Sequence, residues 1–565
     1  MSTLSDITTH TRAGNATMVD SDGLLKWSPH NQLTYSEQFD NAAWTKTSGG
    51  TGSAPTVTAN AVAAPDGTVT ADLVQFDKGA GVTLDDFSGI QQIPSGDFTA
   101  TLAIWMRVAS GTANIALRAI PSQSVKTVTT EWQLFTLEEF SGIFQLISRG
   151  TLGTSDIADL YLWGAHYYRS DLGGMVDNPT RGDSYVPTTA SAVYLPRTGH
   201  HLWDGSAWVD EGYFHESEAR TNLVTYSQDF TDASWSKTNT ATLAVDATGP
   251  DGATSAVTLV DSGATGTGGV WVNEDFNGLT AATNYTFSAF LKEDQLSWVS
   301  LDIVSFGIAA GSPSIYFDLG SGVVGTGASG VGQNIENVGN GWYRCSVTFA
   351  PVNTTGTIRI RLANADGDLT IDLDGTSSIL IYGAQFEAGS TPSSYIPTAG
   401  STVTRAAETL TVPTANAPWN PLAVSIQMEG TMTYADTDAN DVIKFFNWEL
   451  DGNNFIYSTL DTNGAQTGEV DFRQNVSGTA DIVGTAGTFY SPGINIPFNI
   501  ASRHGSTFIN GAVDGVALTA NTTPVALPDL SSTDMDIGST FMGTIKLFRV
   551  WADDLTDAGI EEATT

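Results

Sequence analysis

The feature that most constrains this chain is an internal duplication of long period. Residues 31–47 read NQLTYSEQFDNAAWTKT, and residues 222–238 read NLVTYSQDFTDASWSKT. Tyr35, Ser36, Phe39, Trp44 and Lys46 recur as Tyr226, Ser227, Phe230, Trp235 and Lys237, each displaced by 191 positions. Four further landmarks follow in the same order. APDGT (64–68) matches GPDGA (249–253), and EWQ (131–133) matches GWY (341–343), which sets Trp132 opposite Trp342. LWGAH (162–166) matches IYGAQ (381–385), and SYVPTTASAVYLPR (184–197) matches SYIPTAGSTVTR (394–405), ending on Arg197 and Arg405. Such a chain folds as two copies of one module plus a remainder.

Inside each copy the periodicity is that of strands. ATLAIWMRV (100–108), NYTFSAFLK (284–292), TIRIRLA (357–363) and SILIYGA (378–384) are rich in β-branched and aromatic residues with a period near two. Gly, Asn and Asp clusters separate them at the spacing of a sandwich or jelly roll. Trp44, Trp132, Trp235 and Trp342 read as core anchors between packed sheets, since one indole buries ~150–250 Å². Residues 412–565 repeat neither copy. FFNWELDGNNFIYSTL (445–460) reads as strand, Asp-Gly turn and strand, and GTIKLFRVWADDLTDAGIEEAT (543–564) as a strand followed by an acidic segment with room for one or two helical turns. The expected fold is all-β: three β-sandwich (jelly-roll) domains in tandem behind an extended N-terminal arm. The expected boundaries are arm 1–30, module 31–198, an aromatic-rich joint 199–220, the duplicate module 221–411 and a third sandwich 412–565.

Charge narrows the partners. Lys plus Arg is 23 and Asp plus Glu is 61, a formal net charge of −38. Such a surface repels phosphate backbones and anionic lipid, so neither nucleic acid nor membrane insertion is expected. Charged residues are nonetheless only 15% of the chain and hydrophobic ones 41%, which is enough for real cores and argues against disorder. The single cysteine, Cys345, leaves no intrachain disulfide and no Cys-based zinc site. The opening MSTLSDITTHTRAGNATMVDSDG has neither a basic head nor an apolar stretch, so cytoplasmic synthesis without a signal peptide is expected.

These landmarks resemble a known family. TNLVTYSQDFTDASWSKT, then GPDGATSAVTL, then YGAQFEAGSTPSSYIPT is similar to modules of tailed-phage virion proteins, which occur in fibres and spikes as carbohydrate-binding-module-like jelly rolls. The joint HHLWDGSAWVDEGYFHESEARTNL (200–223) and the opening TRAGNATMVDSDGLLKW (11–27) resemble segments of the same proteins. NIASRHGSTFINGAVDGV and GTIKLFRVWADDLTD are similar to concanavalin-like or laminin-G-like jelly rolls. The resemblance implies a virion surface location and attachment to capsid or tail proteins through the N-terminal arm. It also implies multivalent, non-catalytic adhesion to host surface polysaccharide, with the terminal sandwich as the main glycan contact. A homo-oligomer, a trimer among the options, is compatible with it. A capsid or tail decoration protein with no host ligand is the alternative, and a polysaccharide depolymerase a third.

Little in the sequence speaks for catalysis. No nucleophile elbow, P-loop or H-E-x-x-H motif occurs. Concanavalin-like hydrolases carry E-x-D-x-x-E, whereas Glu449 and Asp451 lead to Asn454, and Glu469 and Asp471 lead to Gln474, so the third acid is missing twice. No cofactor is required. Structural calcium is compatible with two Asp-rich turns, one holding Asp366, Asp368, Asp372 and Asp374, the other Asp436, Asp438 and Asp441, because Ca²⁺ takes hard oxygen ligands. The candidate carbohydrate-binding residues are Trp203, Trp208 and Tyr213 in the joint, whose rings could stack on sugar faces or instead glue neighbouring domains together.

Overall fold

The computed structural model describes residues 4–94, 98–119, 121–140, 142–436 and 442–565. They form three antiparallel β-sandwiches, as the duplication and the strand pattern imply. The chain divides into two compact units, one of residues 26–195 and one of residues 1–25 with 196–565.

The first unit is the first copy. One five-stranded sheet orders Gln123–Val128, Ala113–Arg118, Phe144–Arg149, Phe87–Gln92 and Thr45–Gly49. The other orders Gln133–Phe140, Thr99–Val108, Ile157–Arg169, Ala71–Asp77 and Ser53–Val62. Alternation sends Leu102, Ile104, Met106 and Val108 into the core with Leu160 and Leu162, while Trp105, Arg107 and Tyr161 face away from it.

The second copy, in the other unit, repeats the plan with two six-stranded sheets around a core holding Phe230, Trp235, Phe287, Leu291 and Ile360. The landmarks recur because each closes the chain on itself. Trp44 Nε1 donates to the Tyr35 carbonyl at 2.9 Å, and Trp235 Nε1 to that of Tyr226 at 2.9 Å. Ser36 bonds the Tyr185 hydroxyl at 2.8 Å, and Ser227 that of Tyr395 at 2.7 Å. Asn31 donates to the carbonyls of Ala165 and Val186, as Asn222 does to those of Ala384 and Ile396. Gly164 and Gly383 hold φ of +66° and +60° at a matching bulge, a conformation costly for a residue with a Cβ.

The third sandwich departs from the expected boundaries. Its two seven-stranded sheets recruit Thr9–Thr11 and Thr409–Val412 into one, and Arg197–Thr198 and Tyr213–Glu216 into the other. The N-terminal segment is therefore not an extended arm: Thr9 pairs with Thr411 and Thr11 with Thr409, forming the outermost ladder of that sheet. Edge backbone left unpaired is a liability, and this short strand covers it. The chain ends in the helix Thr556–Ala563, which packs through Ile560 against Ala501 and Ala512.

A buried ionic cluster ties these pieces together. Arg197 lies between two carboxylates, 2.8 Å from Glu216 and 2.8 Å from Glu408. Arg12 also pairs with Glu408, and Arg405 with Glu216 at 3.0 Å. Burial alone would raise the Glu216 carboxyl, yet Arg405 and Arg197 outweigh it and hold it at about 2. The arginines ending the two repeat landmarks thus lock the joint, the N-terminal strand and the third sandwich into one unit.

Candidate glycan-binding site

The residues expected to bind sugar are placed differently. Tyr213 is buried in the core of the third sandwich. Trp203 and Trp208 pair across the hairpin of His201–Trp203 and Trp208–Asp210, with ring centres 5.3 Å apart. The Trp208 indole lies so close over Gly23 and Gly339 that neither position has room for a Cβ. It glues the joint and the N-terminal segment to the second copy, the other reading its sequence allowed.

The Asp-rich turns do not converge on a common point. Asp366 accepts from Thr326, Asp368 from Thr370, and Asp374 from Thr376. Asp372 pairs with Thr267 in a two-residue ladder. Among the described residues no group of three acidic, His or Cys side chains is disposed to hold a metal ion. Asp436 is exposed, and Asp438 and Asp441 lie outside the described residues.

The two glutamates that head the candidate acid pairs, Glu449 and Glu469, stand far apart. Glu449 pairs with Phe455 on the strand Asn454–Asp461, whereas the Glu469 carbonyl accepts from the amide of Asp461. Six residues of extended chain separate those positions, about 20 Å at ~3.3 Å per residue. Glycosidase carboxyl pairs stand roughly 5–9.5 Å apart. Glu449 and Glu469 therefore do not form such a pair with each other; of their strand neighbours, Asp471 is already paired with Arg473 at 2.7 Å, and Asp451 accepts from the Asn453 amide at 2.8 Å.

The surface that does assemble binding chemistry is the outer face of the first copy's sheet, where Trp132 was expected to be core. Trp132 is only half-buried there, its Nε1 donating to the Ala63 carbonyl at 3.2 Å. The Arg107 guanidinium carbon sits 5.3 Å from the Trp132 ring centre and 4.7 Å from that of Tyr161. Trp105, half-buried, and Leu134, 43% exposed, face each other in the next row. Below them Trp163 and Tyr185 pack at 4.9 Å, with Arg181 lying over both rings. Arg181 pairs with Asp183 at 3.2 Å, so the ends of the Arg-Gly-Asp tripeptide satisfy each other. Tyr185 donates to Glu37 at 2.9 Å, and burial pushes the Glu37 carboxyl up.

The duplication supplies an internal control. In the second copy the same positions hold Phe290, Tyr382, Tyr395 and Trp342, all four buried; in the first, Trp163 and Tyr185 are buried as well, and only Trp105 and Trp132 are half-buried. Non-repeated chain covers Phe290 and Tyr395. Thr17 donates to the Tyr395 carbonyl at 2.7 Å, the Leu25 amide to that of Pro250 at 3.0 Å, and Ser394 to Glu216 at 2.6 Å. What remains beneath this cover is a cavity of about 110 Å³ lined by Phe290, Arg344, Tyr395, Leu25, Trp203 and Trp208. One aromatic face is capped by the chain itself, and its duplicate is open. The third sandwich offers a smaller platform, Tyr457 stacked on Phe455 at 4.5 Å, but its neighbour Arg473 is already paired with Asp471 at 2.7 Å.

No protein-family model matches the sequence, and no curated protein matches it at a significant level. Among solved structures, the chain is similar to the tandem N-terminal CBM22 domains of Xyn10C from Paenibacillus barcinonensis, with 11% identity and a TM-score of 0.22 over 64% of this chain and 98% of that one. It is also similar to domains LG4-5 of the mouse laminin alpha1 chain, with 11% identity and a TM-score of 0.17 over 49% and 84%. Trypanosoma rangeli sialidase matches at 8% identity and a TM-score of 0.20 over 98% and 97%. TM-scores this low describe no shared superposition of whole chains.

Proposed function

We propose that this protein is a non-catalytic glycan-binding protein, and that the open aromatic face of its first copy is the binding surface. The observation that carries the reading is the contrast between the copies. The rings of Phe290 and Trp342 are buried in one copy, while their counterparts Trp105 and Trp132 are left partly accessible in the other, beside polar groups able to bond hydroxyls. Accessible rings of this kind stack on the apolar faces of sugars. The repeat signature resembles fibre and spike modules of tailed phages, so the setting we propose is a virion surface, where many copies turn weak single-site affinity into firm attachment. The N-terminal segment, engaged in the third sandwich, is not the attachment device in this reading.

The test uses the full chain, labelled and titrated onto host cells with and without purified surface polysaccharide. Saturable binding competed by the polysaccharide, and lost in Trp132→Ala and Trp105→Ala but kept in Trp203→Ala, is the expected result. Binding that survives both substitutions on the first copy's face would overturn the assignment. No saturable binding at all would favour a decoration role.

A further inference from the structure

Resting on that reading of the first copy's face, we infer that its ligand is an acidic polysaccharide whose carboxylates are met by Arg107. The carbon of this guanidinium lies over the rings of both Trp132 and Tyr161, 5.3 and 4.7 Å from their centres. Cation–π stacking of this kind fixes the orientation of the fork and leaves its N–H edge to bond an acceptor. Within the chain that edge is unused. Arg107 Nε is buried with no partner, and among the described residues no ion pair or hydrogen bond engages the group. The unit's other arginines each donate to an oxygen inside it: Arg118 to Gln145, Arg149 to the Leu84 carbonyl, Arg169 to Asp171 and Arg181 to Asp183.

The duplicate again shows what a satisfied cation looks like at this place. Trp342 pairs with Lys292, just as Trp132 stands beside Arg107, and Lys292 Nζ donates to the Asn340 carbonyl at 2.9 Å. The covered copy carries a cation that its own backbone satisfies, and the open copy carries one that awaits an external acceptor. A carboxylate suits it best, because a planar fork takes both oxygens at once and charge-assisted bonds are roughly twice as strong as neutral ones. Trp105 and Leu134 alongside provide the apolar surface for the flanking rings.

The overall acidity of the chain does not forbid this. Residues 26–195 contain nine Lys and Arg against sixteen Asp and Glu, so this unit carries −7 of the total −38. At physiological ionic strength charges are screened beyond about 8 Å. The field felt by a bound carboxylate is therefore set by Arg107 and its immediate neighbours, among them Asp159 on the same strand face as Tyr161, more than by acids elsewhere in the chain.

The experiment measures binding of the full chain to polygalacturonate, alginate and hyaluronan, each native and as its carboxyl methyl ester, which keeps the backbone and hydroxyls while removing the charge. The expected result is binding to at least one native polymer that weakens tenfold or more on esterification and in Arg107→Gln, with Trp132→Ala losing binding altogether. Equal affinity for native and esterified polymer, unchanged in Arg107→Gln but lost in Trp132→Ala, overturns the acidic ligand and leaves the glycan reading standing. Binding to neither form, or binding indifferent to Trp132→Ala, overturns both.

Discussion

Arg197 and Glu408 stand 211 positions apart in the chain and 2.8 Å apart in the fold, with neither side chain exposed. Breaking a buried pair leaves an uncompensated charge and costs about 3–5 kcal/mol, whereas replacing the whole group by apolar residues is often neutral. Glu408→Gln, which takes the carboxylate partner from Arg12 and leaves Arg197 with Glu216 alone, is expected to lower stability by about that amount in urea melts of the full chain. A loss below about 1 kcal/mol would mean the cluster is not a linchpin.

The third sandwich should not survive excision. A fragment of residues 412–565 lacks Thr9–Thr11, Arg197–Thr198 and Tyr213–Glu216, and with Tyr213 and Leu410 it loses two core side chains. It is expected to aggregate or to lack a cooperative melt. The chain with residues 26–195 replaced by a short Gly/Ser linker should keep a cooperative transition, because that stretch is a unit of its own.

The duplicated tryptophans should behave differently. Trp342→Ala empties a buried site and is expected to cost about 3–5 kcal/mol. Trp132→Ala should cost far less, since its ring is half exposed, while abolishing glycan binding. Equal stability losses would show that the first copy's face is covered in solution.

Acid should destabilise the protein early. Burial lowers His166 to about 4 and His504 to about 3, and burial with Arg197 nearby lowers His200 to about 3. In the unfolded chain such groups titrate near 6.5. Between these values the unfolded state binds more protons, so stability present above about pH 6.5 is lost as the pH falls. Glu408 and Glu216, held low by their arginines against the cost of burial, add losses of the same sign below about pH 4.5. Glu274, raised by burial to about 7, works in the opposite direction with Glu37, Asp72, Glu211 and Glu336, which burial also raises, whereas His10 and His215, lowered by burial, add to the acid loss. Chemical denaturation midpoints should fall steadily from pH 7 to pH 4. A flat or rising profile would contradict the burial of these histidines.

Much of the fold was legible because Asn31, Tyr35, Ser36 and Trp44 serve the same closing bonds, and Phe39 the same ring contact with the tryptophan, as their partners 191 positions later. The two-to-four-residue strands of the joint and N-terminal segment were not, since so few residues display no periodicity. Their loss misplaced Tyr213 and made the segment read as an arm. Trp132 was misread for a related reason. Matching sequence suggests a matching environment, yet the second copy's face is covered at Phe290 and Tyr395 by chain that the duplication does not contain. The Asp-rich turns misled because a carboxylate capping its own turn and one awaiting calcium have the same sequence signature.

The most direct test of the central claim is hydrogen exchange on the full chain with and without saturating host polysaccharide. The account expects new protection confined to Gln133–Phe140, Thr99–Val108 and Ile157–Arg169, the strands that carry the open aromatic face. Protection appearing instead at Asn454–Asp461 and Val470–Val476, with those strands unchanged, would move the binding surface to the third sandwich and contradict it.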